Sequence, residues 1–297
     1  MNYKSIIRSR KIRYRILNLL AWIPDRIMIK IQYRLKFGFW PNFKKPQRFS
    51  EKIQLYKLYY RNDDLPQCVD KNEVRQFVEK KGLESILNEL YGVYYSSDEI
   101  CLSDLPQKFV IKSTSGGGGL DVLIVKNKDK ISLKFIKNFI DSWTKHKLGQ
   151  KTYGREWAYS KMKDTRIIIE KYIESEGDEN GLTDYKIFCF NGIPYCVQVD
   201  HGRFGNHQQN FYDMNWNPLG VHCSYPEGDN LICPKNFDKM KEIAKLLAEN
   251  FPFVRVDLYN IDGSIVFGEL TFYPSSGYGK FHPDQFDFEL GNLFTFF

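Results

Sequence analysis

The sequence predicts an α+β protein built mostly from antiparallel sheets. Three observations point there: short apolar or alternating strands, turns marked by glycine and asparagine between them, and single amphipathic helices in no regular alternation with strands. With 297 residues, 42% of them hydrophobic, the chain is long enough to bury a large core. Its first element, Arg8 to Lys36, reads as a basic helix with Ile, Leu, Trp and Tyr interleaved. Gln47 to Tyr60 reads as a helix opened by Ser50 as N-cap, and Asn72 to Lys81 as another following Asp70, both solvated on one side. Next come two strands, Phe109 to Ser113 and Asp121 to Lys126, bracketing the loop Thr114-Ser115-Gly116-Gly117-Gly118-Gly119. A helix over Ser132 to Lys147 and a strand over Arg166 to Ile173 follow. Asp184 to Asp200 is a hairpin turned at Asn191-Gly192, and Phe237 to Asn250 is an amphipathic helix feeding a last hairpin, Phe253 to Gly277. These elements divide into a basic helical segment (1–48), a helical region (49–108), a smaller lobe with the glycine loop (109–175) and a larger lobe with the final hairpin (176–297).

Composition excludes several classes. The net charge is +7, but residues 1–48 hold thirteen Lys/Arg against the single acid Asp25, so this segment carries +12 and the rest together −5. A basic arm on a mildly acidic body suits an anionic membrane surface or an anionic polymer, and gives no particular reason to expect nucleic acid. The segment could equally dock on the fold. Its apolar run Ile16 to Ile23 is far short of the roughly 20 residues needed to cross a bilayer. Pro24-Asp25-Arg26 follows it with no small-residue cleavage site, against a signal peptide. Six cysteines without metal-ligand spacing fit a reduced, cytosolic protein. The five histidines form no HxH or HxxxH, and no DxD of the glycosyltransferase kind is present.

The final hairpin concentrates the chemistry. Alternation places Val254, Val256, Leu258, Val266 and Leu270 on one face and Arg255, Asp257, Tyr259, Glu269 and Thr271 on the other. For Asp257 and Glu269 to share a face by simple pairing, the Asn260 to Ser264 connection must be an odd-length loop, because a two-residue Asp262-Gly263 turn separates them. Two facing carboxylates repel unless cations lie between them, which suits Mg²⁺ bridging phosphates. Arg255 beside them suits charge on a transferred phosphoryl group, and an Arg–carboxylate ion pair on a solvated face is the plain alternative. Upstream, the glycine loop with Lys112 suits phosphate oxygens, no helix following it as a Walker or Rossmann motif requires. Glu170 ends an apolar strand and needs a partner, either a ribose or base or an ordinary strand-edge ion pair. Lys186 is placed to point at phosphates from the opposite sheet.

In this order, Asp70-Lys71, Lys112 with the glycine loop, Glu170 to Ile173, Lys186, and Asp257 with Glu269 resemble the ATP-grasp superfamily, which clamps ATP between two α+β lobes. More closely the chain is similar to the TupA-like ATP-grasp family, named for teichuronic acid biosynthesis, through KPQRFSEKIQLYKL (45–58), VDKNEVRQFV (69–78), LPQKFVIKS (105–113), TDYKIFCFNG (183–192) and FVRVDLYNIDGSIVFGELTFYP (253–274). The resemblance implies ATP-dependent ligation of a carboxylate, here a uronic acid of a surface polysaccharide or its precursor, to an amino acid or other amine. A sugar kinase on the same site and a nucleotide-binding scaffold are the other readings. By position, Lys71, Lys112 and Lys186 would bind phosphates, Ser115 and Gly116 to Gly119 would cover them, and Glu170, Lys171, Tyr172 and Ile173 would hold adenine and ribose. Asp257 and Glu269 would hold Mg²⁺, with Arg255 and Lys186 catalytic. Thr271 stands where the superfamily commonly has a metal-ligating asparagine.

Overall fold

The computed structural model describes residues 9–117, 121–143, 151–174 and 181–296. The basic segment forms two helices, α1 (Arg10–Leu19) and α2 (Asp25–Phe37), where the sequence reads as one. Pro24 separates them: it has no N–H to extend α1, and its ring holds the preceding residue out of helical conformation. Among the described residues, α2 is the helix of this segment with buried side chains. Its Met28, Ile29 and Tyr33 are buried, Tyr33 Oη shares a hydrogen bond with Ser50 Oγ at 3.0 Å, and Gln32 Nε2 donates to the Tyr153 carbonyl at 2.9 Å.

Helix α3 (Phe49–Tyr59) is buried on nearly every side, from Phe49 through Lys57, and not solvated on one side as its pattern suggests. Ser50 is not its N-cap but lies within the first turn. There its N–H and hydroxyl both donate to Asp287, at 2.8 and 2.6 Å, so a distant helix supplies the acceptor a local cap would have provided. Two short helices follow, α4 (Asp64–Val69) and α5 (Glu73–Lys80). The Asp70 carboxylate caps α5 by accepting from the N–H groups of Asn72 and Glu73 at 2.8 and 2.9 Å, and α5 has one apolar face, Val74, Phe77 and Val78.

Nine strands form two antiparallel sheets among the described residues. The smaller contains β1 (Leu90–Tyr94), β2 (Phe109–Ser113), β3 (Val122–Val125) and β4 (Ile167–Lys171), in the order β1-β4-β2-β3. Strand β1 comes from the region read as helical. Helix α6 (Leu133–Asp141) covers one face of this sheet: Ile136, Ile140 and Trp143 join Phe109, Ile111, Ile167 and Ile169 in one apolar cluster. Alternation then turns Val110, Lys112, Ile168 and Glu170 the other way. The short helix α7 (Trp157–Ser160) precedes β4.

The larger sheet contains β5 (Asp184–Phe190), β6 (Ile193–His201), β7 (Gln208–Asp213), β8 (Phe253–Ile261) and β9 (Ser264–Thr271), in the order β7-β6-β5-β8-β9. The β5–β6 turn is Asn191-Gly192, with φ of +50° and +77° at its two residues, the left-handed pair that a two-residue hairpin requires. Helix α8 (Phe237–Ala248) buries Met240, Ile243, Ala244 and Leu247 against one face. The opposite face is aromatic at one end, where Phe49 of α3 lies between 4.9 and 6.2 Å, centroid to centroid, from Phe188, Phe190, Phe253 and Phe294. Helix α9 (Gln285–Leu293) completes this cover through Phe286 and Leu290.

The β8–β9 hairpin departs from the sequence reading in its turn yet keeps the consequence. The turn is the two-residue Asp262-Gly263, flanked by the pair Ile261 and Ser264, so its register should set Glu269 on the face opposite Asp257. A β-bulge intervenes. Pairing runs Leu258 with Phe267 and then Asp257 with Glu269, leaving Gly268 as the extra residue, and this restores both carboxylates to one face. The same bulge corrects the apolar list: Phe267 is the buried partner of Leu258, and Val266 moves to the face of Tyr259. A side chain at position 268 is unwelcome, since a Cβ there would lie 2.9 Å from the Asp257 carbonyl oxygen. Gly268→Val should therefore cost about 2 kcal/mol or more and abolish nucleotide binding. Deleting residue 268, which lets a regular hairpin pair Asp257 with Glu269, should be better tolerated. Thermal melts and nucleotide titration of both variants check this, and a deletion worse than the valine in both would contradict the bulge's role.

Candidate functional site

Directly paired residues of an antiparallel sheet share a face, so the register of the larger sheet lays out its polar end in rows. One row runs Gln198, Lys186, Asp257, Glu269 across β6, β5, β8 and β9. Beside it run Asp200, Asp184, Tyr259, and on the other side Phe188, Arg255, Thr271. Four carboxylates thus crowd one largely buried surface, and fixed cations are threaded between them. The Lys186 ammonium lies 2.9 Å from Asp184, 3.2 Å from Asp200 and 3.9 Å from Asp257. Arg255 grips Asp257 with two parallel hydrogen bonds, Nε at 2.7 Å and Nη2 at 2.6 Å, and also donates to Thr271 Oγ1 at 3.2 Å. Arg203, in the β6–β7 connection, pairs with Asp184.

The two hairpin acids differ in environment. Burial pushes the Asp257 carboxyl up to about 6 against the pull of Arg255 and Lys186, with Glu269 adding to the rise. Burial acts on Glu269 too, but Lys71, Arg255 and Lys186 outweigh it and hold this carboxyl below its usual range; its side chain is half-exposed. The Thr271 hydroxyl donates to Glu269 Oε1 at 3.1 Å. Asp200, which burial alone would raise, is drawn below the usual range by Lys186 and by the Gln209 amide. Arg255 is desolvated, yet Asp257 and Glu269 hold its guanidinium above the usual value.

Of the expected groups outside the larger sheet, the structure brings Lys71, just before α5, to this face. The Lys71 ammonium donates to the carbonyl of Gly116 and lies 3.9 Å from Glu269, so it stands between the glycine loop and the carboxylate hairpin. Its own N–H is tied to the Thr114 carbonyl at 3.1 Å, which joins the start of α5 to the loop. Lys112 meets Glu170 at 2.6 Å, with Arg75 of α5 at 3.5 Å from the same carboxylate; the partner Glu170 needs is supplied by the protein itself. Ser115 Oγ shares a hydrogen bond with Thr165 Oγ1 at 3.0 Å. Gly118 and Gly119 lie outside the described residues. Lys171, Tyr172 and Ile173 line a cleft of about 640 Å³ whose other wall includes Ile261, Ser264 and Val266 of the hairpin. The Lys171 side chain is exposed and pairs with Glu89 at 3.3 Å.

Several groups here escape the sequence reading. Arg75 and Arg203 complete the charge balance, and Asp200 was legible only as the end of a strand whose polar residues alternate. Lys57, buried, and Glu156, half-buried, lie beside the segment that follows β9. The Lys57 ammonium donates to the Gly154 carbonyl at 2.8 Å and the Ser276 carbonyl at 2.9 Å, while Gln54 Nε2 donates to the Gly277 carbonyl at 2.8 Å. These bonds fix Ser275 and Ser276 in left-handed conformation, φ +49° and +54°, a few residues beyond Thr271.

Two inward-facing sheets, with lysines and a glycine loop on one and paired carboxylates on the other, define the ATP-grasp fold. Within it the chain belongs to the family described as TupA-like ATPgrasp, whose pattern matches residues 51–295. Among solved structures it is similar to the D-alanine–D-alanine ligase of Bacillus anthracis, complexed with ATP (16% identity, TM-score 0.43, covering 69% of this chain and 55% of that one). It is likewise similar to the D-alanine–D-alanine ligase of Helicobacter pylori (16%, TM-score 0.44, 83% and 65%) and to the N5-carboxyaminoimidazole synthetase of Staphylococcus aureus complexed with ADP (11%, TM-score 0.41, 69% and 44%). The chain spans between about half and two thirds of the length of the two ligases, and less than half of the synthetase. No curated protein matches its sequence.

Two measurements follow from these charges. Lys186→Met leaves Asp184 and Asp200 without their shared ammonium and should cost about 3 kcal/mol or more in a thermal or denaturant melt. Burial lowers the Lys57 ammonium from the usual 10.5 to about 7. Between those values the unfolded chain binds a proton that the folded chain has released, so stability should rise with pH, by up to about 1.4 kcal/mol per pH unit from this residue. The stability of wild type minus that of Lys57→Met should rise from pH 7 to pH 9, and parallel curves would contradict it.

Proposed function

We propose that the protein is an ATP-dependent carboxylate–amine ligase that joins a uronic acid of a bacterial surface polysaccharide, or of its precursor, to an amino acid or other amine through an acyl phosphate. The observation that carries this reading is the position of Lys71, on the Gly116 carbonyl and 3.9 Å from Glu269, because it sets a compact cation where the glycine loop of one lobe meets the carboxylate hairpin of the other. Phosphate oxygens bound there would meet Lys71, Lys112 and Lys186 together. The nucleoside end would lie toward Glu170, Lys171, Tyr172 and Ile173, next to the cleft. The sugar and amine classes rest on the resemblance to the family named for teichuronic acid biosynthesis. Six free cysteines fit a reducing compartment such as the cytoplasm.

The donor set fits Mg²⁺: Asp257, Glu269 and Thr271 offer only oxygens, all on one face. Asp257, Glu269 and Thr271 would hold the metal, whose chemistry when bound would be neutralisation of phosphate charge. Arg255 holds the Asp257 carboxylate in one orientation and presents its guanidinium to charge on the transferred phosphoryl group. In the reaction a carboxylate oxygen attacks the γ-phosphorus and ADP departs. The amine nitrogen then attacks the acyl carbon, phosphate leaves with the C–O electron pair, and the nitrogen loses a proton.

ADP release should require both a uronate and an amine, and hydroxylamine should trap the acyl phosphate as a hydroxamate. Asp257→Asn and Glu269→Gln should each lower turnover by roughly a hundredfold or more while remaining folded. A phosphorylated sugar with no amide would replace the ligase by a kinase on the same site. Undiminished polysaccharide output with both variants would point instead to a scaffold.

A further inference from the structure

We infer that the exposed apolar stripe on α1 and the turn after it docks on anionic phospholipid headgroups, with Leu19 and Trp22 reaching the headgroup–acyl boundary. Ile12, Ile16 and Leu19 recur at four- and three-residue spacing, which sets them on one face of the helix. A stripe of that period ordinarily faces a core. Here the three residues are 50%, 37% and 75% exposed, and Trp22 in the following turn is 78% exposed.

The stripe is presented from a firmly held turn. Arg155, itself buried, donates to the carbonyls of Leu20, Ala21 and Ile23 at 3.0, 3.3 and 3.4 Å, closing the end of α1, and to Asp25 at 2.9 Å, opening α2. Beyond the turn, α2 is packed on the body, so α1 is carried at its edge with its apolar face outward.

Charge along the two helices has nearly one sign. Helix α1 contains no acid, and α2 adds Arg26, Lys30, Arg34 and Lys36. The single acid of residues 1–48, Asp25, is already engaged by Arg155 and by Lys151 at 3.1 Å. Cations flanking Ile and Leu on a helix, with Trp in the turn after it, form the composition that lies in a membrane interface. An anionic polymer would neutralise the cations but leave the stripe in water, and a second copy would bring the same charges against themselves. An anionic bilayer surface answers both features. No helix among the described residues is long and apolar enough to cross a membrane, so the contact is with its surface. This inference stands independently of the ligase chemistry.

The full chain is tested by co-sedimentation with vesicles of phosphatidylcholine alone and of phosphatidylcholine with about a quarter phosphatidylglycerol. Binding should be about tenfold or more tighter to the anionic vesicles and weaken in high salt. Tryptophan emission should shift to shorter wavelength on binding, and Trp22→Phe should remove most of that shift. The double variant Leu19→Glu, Trp22→Glu should lose about tenfold or more in vesicle affinity, with circular dichroism, melting temperature and ADP release unchanged. Equal affinity for both vesicle types, no sedimentation with either, or wild-type binding by the double variant would overturn the inference. So would a wild-type dimer that the double variant converts to a monomer, or equally tight, stripe-independent binding to dextran sulfate.

Discussion

The polar end of the larger sheet depends on the Lys186 ammonium. Asp184, Asp200 and Asp257 surround it within 3.9 Å on a face that is otherwise largely shut off from water. Three ionised carboxylates gathered there without a cation would repel one another and lose their hydration as well, an arrangement no folded protein sustains. With Lys186 at the centre and Arg203 and Arg255 at the flanks, the charges nearly balance before any ligand arrives. The remaining strain collects on Asp257, the most deeply buried member of the hairpin pair, whose carboxyl burial pushes up to about 6. The same balance holds Glu269 below its usual range: against burial, Lys71, Arg255 and Lys186 all draw on it.

Geometry around this centre is set by features with no chemistry of their own. Gly268 inserts one residue into β9 and so returns Glu269 to the face of Asp257 after a turn that would have parted them. Helix α3, buried on nearly all sides, divides the larger sheet's inner face into an aromatic end and a polar end. Through Lys57 and Gln54 the same helix fixes the segment just beyond β9. Its extension toward α2 at Ser50 and Tyr33 links the basic arm to the site's foundations. Asp70 ties α5 to the residue before β4 by its ion pair with Arg166, and Lys71 next to it reaches Glu269 of the larger sheet, so the two sheets are coupled there.

Much of this was legible one segment at a time. Local signals identified nearly every strand with a sharp turn or an apolar run, including β5–β6 at Asn191-Gly192 and β2–β3 around the glycine loop, because those signals depend on the backbone conformations of a few adjacent residues. Strands β1 and β7 and helix α9 were not read, since their residues are mixed in character and owe their structure to neighbours remote in sequence. Alternation placed Arg255, Asp257 and Tyr259 on one face of β8, but only the bulge brings Glu269 to that face. The charged partners of the site residues were not legible: Arg75, Arg203 and Asp200 carry ordinary surface residue types, and only a fold that buries them beside opposite charges gives them a role.

The sequence by itself determined the class of fold, the segregation of positive charge into the first 48 residues, and the residue types from which a phosphate and metal site would be made. Each of these follows from periodicity, turn chemistry or composition, all of which act over short spans of chain. Tertiary structure decided that Glu170 would be satisfied by Lys112 and Arg75, that α2 would dock while the α1 stripe stayed outside, and that Asp257 and Glu269 would face one another across a bulge. Those outcomes turn on which oppositely charged or apolar surfaces meet at long range, and a bulge in particular is a one-residue slip that the period of two cannot foresee.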